Sequence, residues 1–212
     1  MDKIYIYGAG SVGKLVAQII SDINAKNRQW EIAGFIDDDE AKLGQSYAGF
    51  KILGGSKELA KGSSVIIGFS KPIQKKKVAE KLNSLRINSP TLIHPSAWLG
   101  ERVKLGKGTV IYPGVCIDCD VVIGEHATIN KNATFGHDSY YGNYITLSPG
   151  VNLGGFLEVG EGVEFGIGAC TIQKLKIGNW TKIGAGAVVT KDLPANCTAV
   201  GIPAKPIKFH IE

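Results

Sequence analysis

The chain has 212 residues, 44% of them hydrophobic and 20% charged, with a formal net charge of +5. That composition suits one or two globular domains, and no apolar run approaches the length of a membrane span. The opening Met1-Asp2-Lys3 lacks the layout of a signal peptide, so a cytoplasmic protein is the expectation.

Lys3 to Tyr7 reads as a buried strand, followed at once by Gly8-Ala9-Gly10-Ser11-Val12-Gly13, a complete G-x-G-x-x-G. Lys14 to Ile20 then has helical spacing, and a second strand, Glu31 to Ile36, ends in Asp37-Asp38-Asp39. Glycines in this context make a tight turn that lets N–H groups at a helix N-terminus approach a phosphate. An acid about twenty residues further on, here Asp37 with Asp38 beside it, is the usual ribose partner. A third strand, Ser64 to Phe69, places Gly68 at the same end of the sheet, and Ile73 to Leu85 is amphipathic. Three strands are half of a dinucleotide fold, enough to seat one nucleotide on Gly8, Gly10, Ser11, Gly13, Asp37, Asp38 and Gly68. The alternative is a structural βαβ unit with tight-packing glycines. Residues 1–88 form this Rossmann-like domain, and Asn88-Ser89-Pro90 reads as the linker.

From Leu99 onwards a six-residue repeat runs without a gap: Leu99, Leu105, Ile111, Ile117, Ile123, Ile129, Phe135, Tyr141, Leu147, Leu153, Val159, Phe165, Thr171, Ile177, Ile183, Val189. The next residue is often Gly, and the residue four on is usually small or β-branched. A period of six fits neither a helix nor a flat alternating strand. It fits a short strand and a corner, repeated with the apolar residue inward, which is the signature of a parallel β-helix. The pattern is the left-handed hexapeptide type, with three hexads in each 18-residue coil. Hexads from Leu99 through Val188 then make five coils, about 24 Å tall at the usual strand spacing, within a β-helix domain of residues 89–194. Residues 18 apart share a column.

The tail, residues 195–212, reads as loop-like. From Thr171 to Lys208 the chain carries Lys174, Lys176, Lys182, Lys191, Lys205 and Lys208 against Asp192 alone. A solvated face explains this run, and so does a polyanion site. Nucleic acid fits poorly, because the excess is modest and no aromatic platform accompanies it; a phosphorylated cofactor fits better. Cys116 and Cys119 form a CxxC without a second pair, and with Cys170 and Cys197 they read as small residues in tight coils.

Of the histidines, His94 lies at the domain junction, His126 follows Glu125 at a corner, and His210 is in the tail. His137, in Phe135-Gly136-His137-Asp138, lies mid-prism and points outward. One coil above it in the column is Gly155, with Cys119 one coil below. Lacking a side chain, Gly155 leaves a gap beside the imidazole, with its N–H about 5 Å away. A base and an exposed amide flanking a gap suit acyl transfer. A zinc hydratase on the same prism would need about three converging histidines, and His126 and His137 stand in different columns.

The prism, the segment Ile183-Gly184-Ala185-Gly186-Ala187-Val188-Val189 and the tail Gly201-Ile202-Pro203-Ala204-Lys205 resemble hexapeptide-repeat acyltransferases. With its small N-terminal nucleotide-type domain, the whole chain resembles bacterial sugar acetyltransferases. These include sialic acid O-acetyltransferases and the N-acetyltransferases acting on nucleotide-linked 4-amino sugars. The resemblance implies acetyl-CoA as co-substrate, no metal, and direct transfer to an amine or hydroxyl. His137 would be the general base, Asp138 its partner, and Gly155 the holder of the thioester carbonyl. It also implies that Thr146, Ile167 and Ala185 line the cofactor channel, although some relatives have His where Thr146 stands. Lys205 is placed with the coenzyme's phosphates. Relatives form homotrimers with the site between two prisms. A non-catalytic nucleotide-binding or scaffold protein is the rival of another class.

Overall fold

A computed structural model describes residues 1–210. They fall into two compact units, Met1–Pro95 and a second that begins at Ser96.

The first unit runs β1 (Asp2–Tyr7), α1 (Ser11–Lys26), β2 (Trp30–Ile36), a hairpin of β3 (Ser46–Tyr47) and β4 (Phe50–Lys51), β5 (Ser64–Ile67) and α2 (Pro72–Ser84). Its sheet is parallel in the order β2-β1-β5. Ile4, Ile6, Phe35, Ile36, Val65 and Ile66 are fully buried. Val16, Ile19, Ile20 and Ile23 form one apolar stripe along α1, as spacings of three and four require. Asn88 donates to Ser63 O and accepts from Val65 N, both at 2.8 Å. The extended run up to the expected linker at residue 88 therefore belongs to this unit.

The second unit is a left-handed parallel β-helix of about six turns. Its two-residue strands stack with a register of eighteen on every face: Cys116 on Trp98, Val122 on Lys104, Thr128 on Val110. Six strands from Trp98–Leu99 to Val188–Val189 make one face, and five from Lys104–Leu105 to Lys176–Ile177 make the second. The third face includes Val110–Ile111 to Lys182–Ile183. The repeat residues point inward, and Ile111, Ile117, Ile129, Leu147 and Phe165 are completely buried. Removing one such side chain, as in Ile129→Ala, costs about 2–5 kcal/mol because neighbouring coils fix the void.

The corners explain the glycines. Every sixth residue from Arg102 to Gly186 has a positive φ, and many of these are not glycine: Asp120, Asn132, Asp138, Phe156 and Lys174 are among them. The glycines just after the repeat residue have another cause. A Cβ on Gly136 would run into the Gly155 N–H group, and one on Gly100 would lie 2.7 Å from the Cys119 nitrogen. These glycines let one coil lie against the next.

The tail corrects the loop-like reading. Cys197–Val200 continues the third face, parallel to Lys182–Ile183 but with Thr198 opposite Lys182, a step of sixteen. Lys205–Phe209 then folds back antiparallel to it. The prolines fall in the turn and in an exposed last strand, where no ladder N–H is needed. This hairpin carries the solenoid beyond the expected five coils.

Candidate active site

His137 sits at the corner between the first and second faces. The strand before it, Thr134–Phe135, and the strand after it, Tyr140–Tyr141, bury rings that meet edge to face, 4.9 Å between centroids. That pair fixes the corner from inside. Asp138 has φ +54°, a conformation Asp tolerates better than most residues, and its N–H donates to Cys119 O at 3.2 Å. The turn brings Asp138 Oδ2 to 2.7 Å from His137 Nδ1, and both side chains are half-exposed. An ionised carboxylate only accepts hydrogen bonds, so Nδ1 carries the proton and Nε2 keeps its lone pair.

Gly155 stands where the column rule puts it. A Cβ there would lie 3.2 Å from His137 Nε2 and 3.1 Å from His137 O. The Phe156 N–H donates to His137 O at 2.9 Å, and the Gly155 carbonyl accepts from Lys174 N at 3.0 Å. The Gly155 N–H itself has no hydrogen-bond partner among the described residues. A basic nitrogen and a free N–H thus share one small space.

Two neighbours were not placed at this corner from sequence. The Phe156 ring stands edge-on to the imidazole at 5.0 Å, and Lys174 Nζ lies 5.9 Å from the centre of that ring. Stepping by eighteen from Asp138 reaches Phe156 and then Lys174, so the signal was present. On the other side of His137 is an open groove of about 380 Å³ lined by Trp98, Gly100, Glu101, Arg102, Asp118, Cys119 and His137. Arg102 donates to both oxygens of Asp120, at 2.6 and 2.7 Å, and to Glu101 at 2.9 Å. Those bonds hold the Asp120 carboxyl below the usual carboxylate range.

Thr146, Ile167 and Ala185 are not gathered around His137 within one chain. Thr146 is buried on the third face. Ile167 and Ala185 share a column at the corner between the third and first faces, with Ile167 63% exposed. Beside them run Gly150, Gly168 and Gly186, where a Cβ would meet nothing within 4 Å. This open, apolar corner suits a long flexible arm laid along the prism. Lys205 is exposed on the last hairpin. The basic stretch is dispersed: Lys176 pairs with Glu158 at 2.9 Å on the second face, and only Lys174 lies near the Phe156 ring at the His137 corner.

In the first unit, three glycines are dictated by packing. A Cβ on Gly13 would collide with Gly8 O, one on Gly68 would lie 2.8 Å from Gly13 Cα, and one on Gly8 would meet the Phe69 ring at 2.9 Å. Gly10 is different, because a Cβ there meets nothing within 4 Å and its φ is an ordinary −138°. Gly10 precedes Ser11, the first residue of α1, whose N-cap offers no side-chain acceptor. Backbone is therefore open to an anion at this helix N-terminus. Asp37 Oδ2 accepts from Ala9 N and Lys42 Nζ, each at 2.9 Å. Partial burial would raise its carboxyl, but these bonds and the Asp39 N–H outweigh burial and lower it. Asp38 accepts from Tyr7 Oη at 2.7 Å and from Lys81 at 3.2 Å. Both acids brace the glycine loop and its sheet.

His94 Nε2 lies 3.2 Å from Asp22, and His210 Nε2 2.9 Å from Thr198 Oγ1. His126 is buried and stacked on Tyr144. No group of three metal-ligating side chains occurs among the described residues, and no helix there is long and apolar enough to cross a membrane.

Residues 3–82 match the family model described as the PglD N-terminal domain. Among solved structures, the acetyltransferase domain of PglB from Neisseria gonorrhoeae FA1090, in complex with acetyl coenzyme A, is 28% identical. It covers 97% of this chain and 98% of its own, with a TM-score of 0.86. PerB from Caulobacter crescentus, in complex with CoA and GDP-perosamine, is 30% identical, covers 98% of both chains and has a TM-score of 0.86. WeeI from Acinetobacter baumannii AYE shares the fold at 24% identity and a TM-score of 0.87, over 98% of this chain and 100% of its own. A search of curated protein sequences gave no match.

Proposed function

The chain belongs to the sugar N-acetyltransferases of the hexapeptide-repeat family, and from that footing we propose that it acetylates the amine of a nucleotide-linked 4-amino sugar for cell-surface glycan biosynthesis. It is an acetyl-CoA-dependent sugar acetyltransferase. Acetyl-CoA supplies the acetyl group as a thioester, which Ile167, Ala185 and the open glycine corner would flank, with Thr146 on the adjoining face and Lys205 towards the phosphates. His137 Nε2 takes the proton that the acceptor amine loses on attack. Asp138 holds the imidazole in the tautomer that can accept it and stabilises the imidazolium formed. The Gly155 N–H donates to the oxygen on which charge develops. The nucleotide of the acceptor lies on the loop from Gly8 to Gly13.

The observation that carries this reading is the pairing of Nδ1 with Asp138 while Nε2 faces Gly155. His137 lies at one corner and Ile167 with Ala185 at another, so we assign the working enzyme as a homotrimer in which a neighbouring prism supplies the cofactor wall. It works in the cytoplasm, where nucleotide sugars are made. The test is acetyl-CoA-dependent thiol release with a panel of nucleotide-linked 4-amino sugars, and with sialic acid for comparison. Turnover of the amino sugars alone is expected. Turnover of sialic acid alone would move the chain to the O-acetyltransferases, and turnover of neither would leave a nucleotide-binding scaffold.

A further inference from the structure

Of the four consecutive N–H groups from Gly154 to Leu157, three are tied. The Phe156 N–H donates to His137 O at 2.9 Å. The Gly154 N–H donates to Thr171 Oγ1 and the Leu157 N–H to Ser139 Oγ, each at 3.0 Å. The Gly155 N–H alone has no partner among the described residues. Both hydroxyls stand where the prism otherwise puts hydrocarbon. Ser139, 4% exposed, shares its column with Val103, Val121, Leu157 and Leu175. Thr171 shares its column with Ile117, Phe135, Leu153 and Val189. Each alters the backbone around it. One coil lower, the matching N–H of Gly136 donates to a main-chain carbonyl, Leu153 O; at Gly154 the Thr171 hydroxyl takes that place. The ladder there pairs Asn152 with Cys170 alone, whereas the next one pairs Cys170 with Val188 and Thr171 with Val189. Ser139 also donates to His137 O at 3.0 Å, reaching back across the left-handed Asp138. One hydroxyl thus fastens the His137 corner to the coil that carries Gly155.

We propose that Ser139 and Thr171 are positioning residues for the transfer: by tying the N–H groups on either side, they aim the Gly155 N–H at the thioester oxygen and set its distance from His137. A donor that stabilises developing charge works only if it is already in place, since reorienting it during the reaction would cost what it gains. Tying the neighbours while leaving this one N–H free achieves that. Both residues act through the backbone and take no proton. The inference rests on the reading of Gly155 as the donor to that oxygen.

The infrared band of bound acetyl-CoA reports this N–H without any acceptor. Acetyl-CoA isotope-labelled at the carbonyl carbon is bound to the full-length protein, and its spectrum is taken against the unlabelled compound. The thioester carbonyl band should move to higher frequency in Ser139→Ala and Thr171→Val, and stay near the wild-type position in Ser139→Thr and Thr171→Ser, which keep a hydroxyl. Turnover should follow the band. Ser139→Ala and Thr171→Val should lose kcat about tenfold or more with KM for acetyl-CoA unchanged, and the hydroxyl-bearing variants should recover it. Thr109→Val is the control for a hydroxyl that only supports the fold. Thr109 Oγ1 accepts from Ala127 N at 3.3 Å and donates to Gly124 O at 3.2 Å, away from His137. Its loss should lower the melting temperature and leave the band and kcat alone. A band that stays at the wild-type position in Ser139→Ala or in Thr171→Val removes that residue from the role, and in both it overturns the proposal. A band that depends on the hydroxyls, with no thiol release from any amino sugar, would reject the amino-sugar reading and keep the positioning role.

Discussion

Asp138 and His137 are adjacent in the chain, yet the Asp138 carboxylate lies 2.7 Å from the His137 ring nitrogen Nδ1. Neighbouring side chains on an extended strand point to opposite faces and cannot meet this way. Here the positive φ of Asp138 turns both outward at one corner. His137→Ala should lower kcat by roughly 10²–10⁴ and leave acetyl-CoA affinity near wild type. Asp138→Asn should lower it less, since the base remains but its tautomer is no longer imposed. Steady-state kinetics with isothermal titration of acetyl-CoA checks both, and a fully active His137→Ala enzyme would remove the base from the mechanism.

Gly155 is the sharper test of the site geometry. A methyl group there would press on both His137 Nε2 and His137 O at just over 3 Å, tighter than ordinary contact. Gly155→Ala should therefore cost kcat by about tenfold or more while the protein still folds, because the imidazole is displaced from the N–H beside it. Circular dichroism and kcat, measured together, separate this from unfolding. An unaltered kcat would show that the space beside Nε2 is not where the reaction occurs.

The glycine-rich loop allows a paired experiment. Gly13→Ala drives a Cβ into Gly8 O and should destabilise the first unit, whereas Gly10→Val meets open space and should fold normally. Gly10→Val should instead raise KM for the nucleotide-linked acceptor and spare acetyl-CoA. Thermal melts of the two variants, with KM for Gly10→Val, give the outcome. If Gly10→Val leaves acceptor KM unchanged, the nucleotide does not approach this turn.

Asp37 makes the stability of the first unit depend on pH. Its carboxyl is lowered in the fold, so ionised Asp37 stabilises the native state above the ordinary carboxylate range, and that stabilisation fades as pH falls through the lowered value. Asp37→Asn should cost about 1–2 kcal/mol near neutrality, through weakened bonds to Lys42, Ala9 and Asp39. The gap to wild type should close below about pH 4. Calorimetric melts at several pH values follow it, and a constant gap would mean that the charge is immaterial.

The prism was legible because its period is unbroken: one inward residue every six, and therefore one neighbour every eighteen, is enough to place Gly155 against His137 from the sequence alone. The same step would have found Phe156 and Lys174. What could not be read was backbone conformation at the corners. Asp120, Asp138, Phe156 and Lys174 all occupy left-handed corners, while glycine takes only some of these corners and also marks the position just after the repeat residue. The tail was misread because its prolines outweighed the short strand Cys197–Val200, whose parallel partner shifts to a step of sixteen. The bracing of Asp38 joins Tyr7 to Lys81, residues 74 apart, and no local pattern announces it.

A register of eighteen also limits how such a chain can change in length. Adding a whole coil between Gly155 and the hairpin raises the upper storeys and leaves every column standing. Adding six residues between His137 and Gly155 would rotate everything above by a third of a turn. The apolar interior would survive, since each inserted residue finds an equivalent slot, and such a protein would fold with its base and its amide on different corners. Lineages built on this scaffold can thus lose activity without losing structure by a single in-frame duplication, and can gain height only in storeys.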